Sequence, residues 1–252
     1  MNKTSRKQSI LDYIKIHESV DIKELHERFN VSEATIRRDL NELDLAGDIK
    51  RVRGGAFVET EDIEPFSLPR STVHHDEKKR IGRAAADLVA DGETIIISTG
   101  TTTEAMIPFL SEKSGLTVIT NALNIAFKLS YYQHIRTIVL GGILRHQEND
   151  LLGHITENAL TGLVASKLFR GVRGIHMRHG YTATDMTHVR TDKKMMEITQ
   201  DLIIVADHSK FSQIGSISLA PISAAAVIVT DYEAPVDLVK QIEQEGVQVI
   251  SA

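Results

Sequence analysis

Between residues 19 and 45 the apolar positions recur every three or four residues, first at Ile22, Leu25 and Phe29, then at Ile36, Leu40 and Leu43. That period predicts two short amphipathic helices. The first runs over 22–29 and opens on Asp21 and Glu24, a capping-box pair; the second opens on Ser32 as its N-cap. Packing the two stripes together turns Ala34, Arg38 and Asn41 outward, with Thr35 and Arg37 on the flanks. After Gly47 ends the helix, Ile49 and Val52 are interspersed with Lys50, Arg51 and Arg53. Gly54-Gly55 and a second apolar run at 56–58 follow, which predicts a β-hairpin.

From about residue 76 the pattern changes to short, fully apolar runs at 95–97, 117–119, 137–140, 202–205 and 226–229. Each is too short for a helix and rich enough in β-branched residues for a buried parallel strand. Helices are expected near 76–90, 101–110, 121–130, 192–200 and 235–245, giving an α/β sheet with helices on its faces. Ligands of such sheets bind beyond the carboxyl ends of the strands, so the residues following each run are candidates. They are Ser98, Thr99, Gly100, Thr101, Thr102 and Thr103 after the first run, Asn121 after the second, Gly141 and Gly142 after the third, and Asp207 and Lys210 after the fourth. In residues 98–104 a glycine turn with hydroxyls and backbone N–H groups at a helix N-terminus suits a phosphate, although such junctions also serve as plain caps.

The N-terminal segment has the order of parts of a helix-turn-helix with a wing. In that arrangement Ser32, Thr35, Arg37 and Arg38 stand at the start of the helix that enters the major groove of duplex DNA, while Lys50, Arg51 and Arg53 meet phosphates beside it. A helical hairpin with solvated arginines is the other reading of the helices taken alone.

Composition narrows the class. The chain has 252 residues, 42% hydrophobic and 25% charged, which accommodates one small and one larger domain. Residues 1–58 are assigned to the DNA-binding domain, 59–73, with Pro65 and Pro69, to a linker, and 74–252 to an effector-sensing and oligomerisation domain. The net charge of −5 divides unevenly: residues 1–58 carry 11 Lys and Arg against 10 Asp and Glu, and the remainder 18 against 24. The head's usable positive charge is therefore local, on Lys3, Arg6, Lys7, Arg37, Arg38, Lys50, Arg51 and Arg53, and the acidic body limits indiscriminate DNA binding. Absence of cysteine removes disulfides and thiolate metal sites. The apolar runs fall far short of a membrane helix, so a cytoplasmic location is expected. His176 and His179 have a spacing found in metal sites, but with neither Cys nor a His-Glu-x-x-His helix a structural role is assigned, and no metal or cofactor is expected.

The string Val31-Ser32-Glu33-Ala34-Thr35-Ile36-Arg37-Arg38-Asp39-Leu40, with Leu43, Gly47 and Arg51-Val52-Arg53-Gly54-Gly55-Ala56, closely resembles the N-terminal signature of the DeoR family of bacterial transcriptional regulators. The Gly-Thr-Thr loop at 100–102, Thr120-Asn121, Gly141-Gly142 and Asp207-x-Ser209-Lys210-Phe211 resemble the sensor motifs of the same family. The resemblance implies a winged helix-turn-helix followed by a mostly parallel α/β sensor similar to ribose-5-phosphate isomerase and glucosamine-phosphate deaminase. Gly100, Thr101 and Thr102 match its phosphate-cradling loop; Asn121, Gly141, Gly142 and Lys210 match other pocket positions. What it implies is a repressor of a carbohydrate-utilisation operon, acting as a dimer or tetramer on operator DNA and answering to a phosphorylated or otherwise anionic sugar.

Relatives commonly carry aspartate where this chain has Ser98, Ser166 and Arg173, and glutamate near Val189. With Arg170, Arg173, His176, Arg178 and His179 all between residues 169 and 180, a cation-rich pocket and a more anionic effector are expected. A sugar-phosphate isomerase or deaminase with a DNA-binding head is the alternative of another class. It needs a general base near the sugar carbons, and of the candidate groups only Asp207 and Lys210 remain. A structural DNA-binding protein with a vestigial pocket is a third reading.

Overall fold

The computed structural model describes residues 6–7, 9–11, 13–14, 19–45, 49–52, 55–57 and 73–252. It divides into two compact units, Met1–Leu68 and Pro69–Ala252.

In the first unit β1 (Ser19–Asp21) leads directly into α1 (Ile22–Phe29), and α2 (Glu33–Leu45) follows a turn in which Asn30 adopts the left-handed conformation. Asp21 caps α1 by accepting from the Glu24 N–H at 2.7 Å. The Glu24 side chain does not complete the capping box; it accepts from the Tyr13 hydroxyl at 2.7 Å. Ile36, Leu40 and Leu43 on α2 are buried with Ile22, Leu25, Ile10, Ile14 and Ile49, as the period requires. One polar group shares that buried side: Asp39, 1% exposed, is held by Arg6 at 2.6 Å. Arg6, and Lys7 through Glu42 at 3.0 Å, are therefore not part of the head's unpaired positive charge, which corrects the expectation for both.

β2 (Lys50–Val52) and β3 (Gly55–Phe57) form the expected antiparallel hairpin, and β1 adds a third strand that the sequence did not reveal, in the order β1-β3-β2. Gly55 was read as part of the turn. It is instead a strand residue facing β1 so closely that a Cβ would lie 2.2 Å from the Val20 carbonyl oxygen. Val52 is not packed inward but 42% exposed.

The second unit is built on seven parallel strands: β4 (Thr94–Ile97), β5 (Thr117–Thr120), β6 (Arg136–Val139), β9 (Ala165–Arg170), β12 (Thr199–Val205), β14 (Val227–Thr230) and β15 (Gln248–Ser251). Their order is β15-β14-β12-β9-β4-β5-β6, with every pairing parallel. Alternate side chains feed cores on the two faces: Ile96, Leu168 and Ile204 enter one, Ile95, Ile97, Phe169, Ile203 and Val205 the other. Burial on both faces is why β4, β5, β14 and the second half of β12 read as continuous apolar runs.

The helices are α3 (His75–Asp87), α4 (Thr101–Glu104), α5 (Leu123–Leu129), α6 (His154–Ala159), α7 (Met186–Glu197) and α8 (Val236–Gln244). The helix expected near 101–110 is a single α turn followed by a 3-10 segment, Ile107–Glu112, with a proline near its start. The helix expected near 192–200 starts earlier, at Met186, where Asp185 accepts from the N–H groups of Thr187 and His188, and it stops before β12 begins at Thr199. Two antiparallel additions were not foreseen: the pair β7 (Ile143–Arg145) and β8 (Asp150–Leu152), and the sheet β10 (Gly174–His176), β11 (Gly180–Ala183) and β13 (Ile217–Ala220). No helix among the described residues is long and apolar enough to cross a membrane.

Candidate functional site

On the head, α2 presents its N-terminal turn outward. Ser32 accepts from the Thr35 N–H at 3.3 Å and its hydroxyl lies 2.9 Å from that of Thr35, so both hydroxyls fix the start of the helix. Arg37 is exposed and lies 3.2 Å from Glu33 one turn earlier. Arg38 is exposed and makes no ion pair among the described residues. Lys50 and Arg51 lie on β2. Arg53 lies outside the described residues.

In the second unit a cavity of about 270 Å³ opens at the carboxyl ends of β12, β9 and β4, the central strands, where the strand order reverses direction. Crossovers that depart to opposite sides leave a crevice at such a point. Of the expected effector residues, Gly100, Thr101, Thr102, Arg173, Asp207 and Lys210 line it. Gly100 has φ +152 and ψ +147, a region open only to glycine, so the chain can turn there from β4 into α4. With α4 one turn long, little helix dipole accumulates, and an anion in this loop depends on N–H groups, hydroxyls and side-chain cations.

Ser98, Thr103, Asn121, Gly141 and Gly142 do not line the cavity, contrary to expectation. The Ser98 hydroxyl donates to Asp192 at 3.3 Å, and the Thr103 hydroxyl lies within reach of the Ser98 and Gly100 carbonyls at 2.9 and 2.7 Å. Asn121 donates to the Leu151 carbonyl at 3.1 Å, while a Cβ on Gly142 would fall 2.1 Å from the Thr156 hydroxyl and 2.9 Å from the Leu152 carbonyl oxygen. Asn121 and Gly142 thus anchor the β7–β8 pair, which carries Arg145 and Asp150 to the cavity region.

Further charges around the cavity come from elements the sequence did not single out, the strands β7 and β8 and the start of α7, and they meet Arg170 there. Arg170, at the end of β9, is 2.9 Å from Asp192 on α7. Arg145 grips Asp150 with two bonds, at 2.9 and 2.7 Å. His188 stands between the arginines, its Nδ1 3.2 Å from Arg145 and its Nε2 3.1 Å from Arg170. Burial pushes the carboxyls of Asp192 and Asp150 upward, with Arg170 and Arg145 pulling each back. Burial also acts upward on Asp207, but the Ser209 hydroxyl and the ammonium groups of Lys210 and Lys78 outweigh it and hold this carboxyl below the ordinary range. Asp207 Oδ2 is buried without a hydrogen-bond partner among the described residues.

Acid is nonetheless present: Asp207 and Glu148 line the cavity, while Asp150 and Asp192 pair with the lining Arg145 and Arg170. The Ser98 hydroxyl beside Asp192 is neutral where a second carboxylate would repel the first. Ser166 lies at the amino end of β9, donating to the Thr94 carbonyl, and Val189 is in the core. Of the expected cationic cluster only Arg170 and Arg173 reach the cavity; Arg178 and His179 border a separate shallow depression, and the His176 ring stacks near that of His179 at 4.9 Å. Thr99, a candidate after the first run, lines the cavity too; Lys78, Arg145, Glu148 and His188 are lining residues that sequence reasoning missed.

Two family models match the chain: the DeoR-like helix-turn-helix domain over residues 6–62 and the DeoR C terminal sensor domain over residues 73–232. The glycerol-3-phosphate regulon repressor of Escherichia coli (strain K12) is 32% identical over 248 residues, covering 98% of both proteins. The HTH-type transcriptional regulator IolR of Bacillus subtilis (strain 168) is 31% identical over 229 residues, covering 90% of this chain and 91% of that one. Among solved structures, ribose 5-phosphate isomerase A from Methanocaldococcus jannaschii is similar over 55% of each chain, at 17% identity and a TM-score of 0.42.

Proposed function

This chain belongs to the DeoR family of DNA-binding transcriptional regulators, and from that premise we propose that it represses carbohydrate-utilisation genes in the cytoplasm until a small anionic sugar metabolite fills the cavity. Paired half-sites of an operator would be read by two copies of the head, with Arg37 and Arg38 at the groove and Lys50, Arg51 and Arg53 on the flanking phosphates. Effector binding releases DNA only if the released arrangement binds the effector more tightly.

The observation that carries this reading is the lining of the cavity. Thr99, Gly100, Thr101 and Thr102 offer N–H groups and hydroxyls, Lys78, Lys210 and Arg173 offer positive charge, and Asp207 offers an acceptor for a sugar hydroxyl. A volume of about 270 Å³, at the lower end for ligand pockets, suits a single sugar unit. Arg145 and Arg170 are committed to Asp150 and Asp192, so Arg173, exposed and without an ion pair among the described residues, is the cation that favours an extra negative charge on the ligand.

The test is thermal-shift screening of the full chain with glycerol 3-phosphate, hexose and pentose phosphates, sugar acids and the unphosphorylated parents. Operator duplexes selected by the protein from random DNA then report release. At least one anionic sugar should stabilise the protein and release DNA, Thr101→Ala should abolish both effects, and Arg173→Asp should weaken them. Equal stabilisation by the unphosphorylated parents, or none by any member, would overturn the reading.

A further inference from the structure

Among the described residues of the second unit, seven of the thirteen exposed large apolar side chains fall within residues 123–155. Leu123 and Phe127 on α5 and Tyr131 just past its end recur at every fourth position, opposite the buried Ile125 and Leu129. The rings of Phe127 and Tyr131 meet edge-on, with centroids 5.5 Å apart. Polar side chains of the helix do not interrupt this face: Asn124 donates to Glu104 at 2.7 Å and Lys128 pairs with the same carboxylate at 2.6 Å. A helix that is apolar on both sides is ordinarily covered on both.

The face continues onto the edge of the sheet. β6 ends the strand order, so among the described residues only β5 pairs with it. Arg136 and Leu140 donate their N–H groups to the Leu116 and Thr120 carbonyls, and the alternation of a strand therefore points the backbone N–H and C=O of Thr137 and Val139 away from the sheet. Natural proteins blunt a bare edge with charge, proline or a bulge, or cover it. β6 has one charge, Arg136, at its first residue, and Val139 is 47% exposed. Past the carboxyl end of the strand Ile143 and Leu144 on β7 and Ile155 on α6 extend the apolar surface, with Gly141 so placed that a Cβ would lie 3.7 Å from Ile155. At their observed exposures the seven side chains present on the order of 600 Å² of apolar surface, at the top of what a monomer leaves bare and near the ~800 Å² per partner of a stable interface.

We infer that this face is the contact between two copies of the chain, the β6 edges pairing antiparallel about a two-fold axis and the outer faces of α5 packing beside them. The inference rests on the proposed function only in naming the partner that paired heads require, and it is independent of what fills the cavity. A second copy fits because both parts of the face complement themselves, as a two-fold contact must. With the axis at Ile138, Thr137 faces Val139 of the second copy, and the outward N–H and C=O groups of both are satisfied. Arg136 then faces Leu140 of the second copy, so the one charge on the strand meets no like charge. Phe127 and Tyr131 supply aromatic area of the type that dominates protein contacts. The lysine of α5 is already paired, so the helix offers no free charge to a nucleic acid or an acidic partner.

The test is the mass of the full chain by sedimentation at about 10 μM, with hydrogen exchange on the same samples. Wild type should be a dimer or a multiple of one, and its Thr137 and Val139 amides should exchange about 100-fold more slowly than unprotected amides. Phe127→Glu, which forces a carboxylate into the contact, should halve the mass and release both amides. Thr137→Pro removes only an N–H that points away from β5, a change that edge strands accept. It should halve the mass as well, and it carries the test if Phe127→Glu does not fold. Val236→Glu, at an apolar position as exposed as Phe127 but outside the face, should change neither readout. An oligomer with fast exchange at Thr137 and Val139, or either variant folded at the wild-type mass, would overturn this contact and leave the paired reading of operator half-sites standing. A wild-type chain that is monomeric even at about 50 μM would overturn both and leave the effector site untouched.

Discussion

The residues proposed to meet DNA come from the start of α2 and from the hairpin that follows, whereas those around the cavity come from six segments spread between Val73 and Lys210. The difference extends to energetics. Arg38 projects from a helix held by Ile36, Leu40 and Leu43 and has no ion pair among the described residues. Arg170 lines the cavity while pairing with buried Asp192. In the head, recognition is laid over a finished core; in the body, the site and the core share residues. Function should therefore be separable from stability in the first region and coupled to it in the second.

The largest effect that could break this comparison is in the body. Asp192→Ala leaves Arg170 buried without its carboxylate, and removing one partner of such a pair costs about 3–5 kcal/mol. Urea unfolding of the full chain measures it; a cost below about 1 kcal/mol, within the range of exposed pairs, would show that the cavity's charges are as dispensable as surface ones. In the head, Arg37→Ala with Arg38→Ala should lower operator affinity by about 100-fold or more, at about 1–3 kcal/mol for each good contact. The melting curve should not move. Arg38→Ala alone should account for the larger share, because Arg37 already has Glu33; the reverse order would mean that the outward face has been misplaced.

A smaller effect belongs to the wing. Lys50→Ala with Arg51→Ala should weaken specific and non-specific duplexes alike, by about tenfold near physiological salt, and lower the slope of affinity against salt by about two. A loss confined to one base position would make β2 a reader of sequence. The smallest concerns acid stability. The Asp207 carboxyl is held below its ordinary value of 3.8, so its contribution is fully present above that value and is lost as pH falls through the lower, folded one. Asp207→Asn should flatten this part of the acid-unfolding curve; an unchanged curve would remove Asp207 from the groups that titrate on folding.

How far the sequence could be read follows from the same contrast. Local signals carried the head: the stripe on α2, the cap at Ser32 and the hairpin are each set by residues within a few positions of one another. β1 escaped because three residues are too few to show a period. In the body the strands buried on both faces announced themselves, but the central strand β9 did not. Its Ser166, Lys167 and Arg170 interrupt the apolar run, Lys167 to pair with Glu93 at one end of the sheet and Arg170 to enter the cavity at the other. The loop at 99–102 was visible as a glycine between hydroxyls. Arg145, Asp150 and His188 were not, because their meeting depends on an antiparallel pair and a helix face brought together by chain crossings that no local pattern encodes. Alternating His188 and Asp192 one turn apart on the buried side of α7 is the one signal that was available.

The bond between Arg6 and Asp39 has a consequence for how such a head changes its address. Because Asp39 fastens α2 from its inner side, the outward positions Ala34, Arg37 and Arg38 can be exchanged without loosening the helix. A duplicated copy of this chain could thus acquire a new operator through a handful of substitutions while its fold and its sensor stay unchanged. The same economy is open to the engineer, who can graft a different reading surface onto α2 provided that Arg6 and Asp39 are left in place.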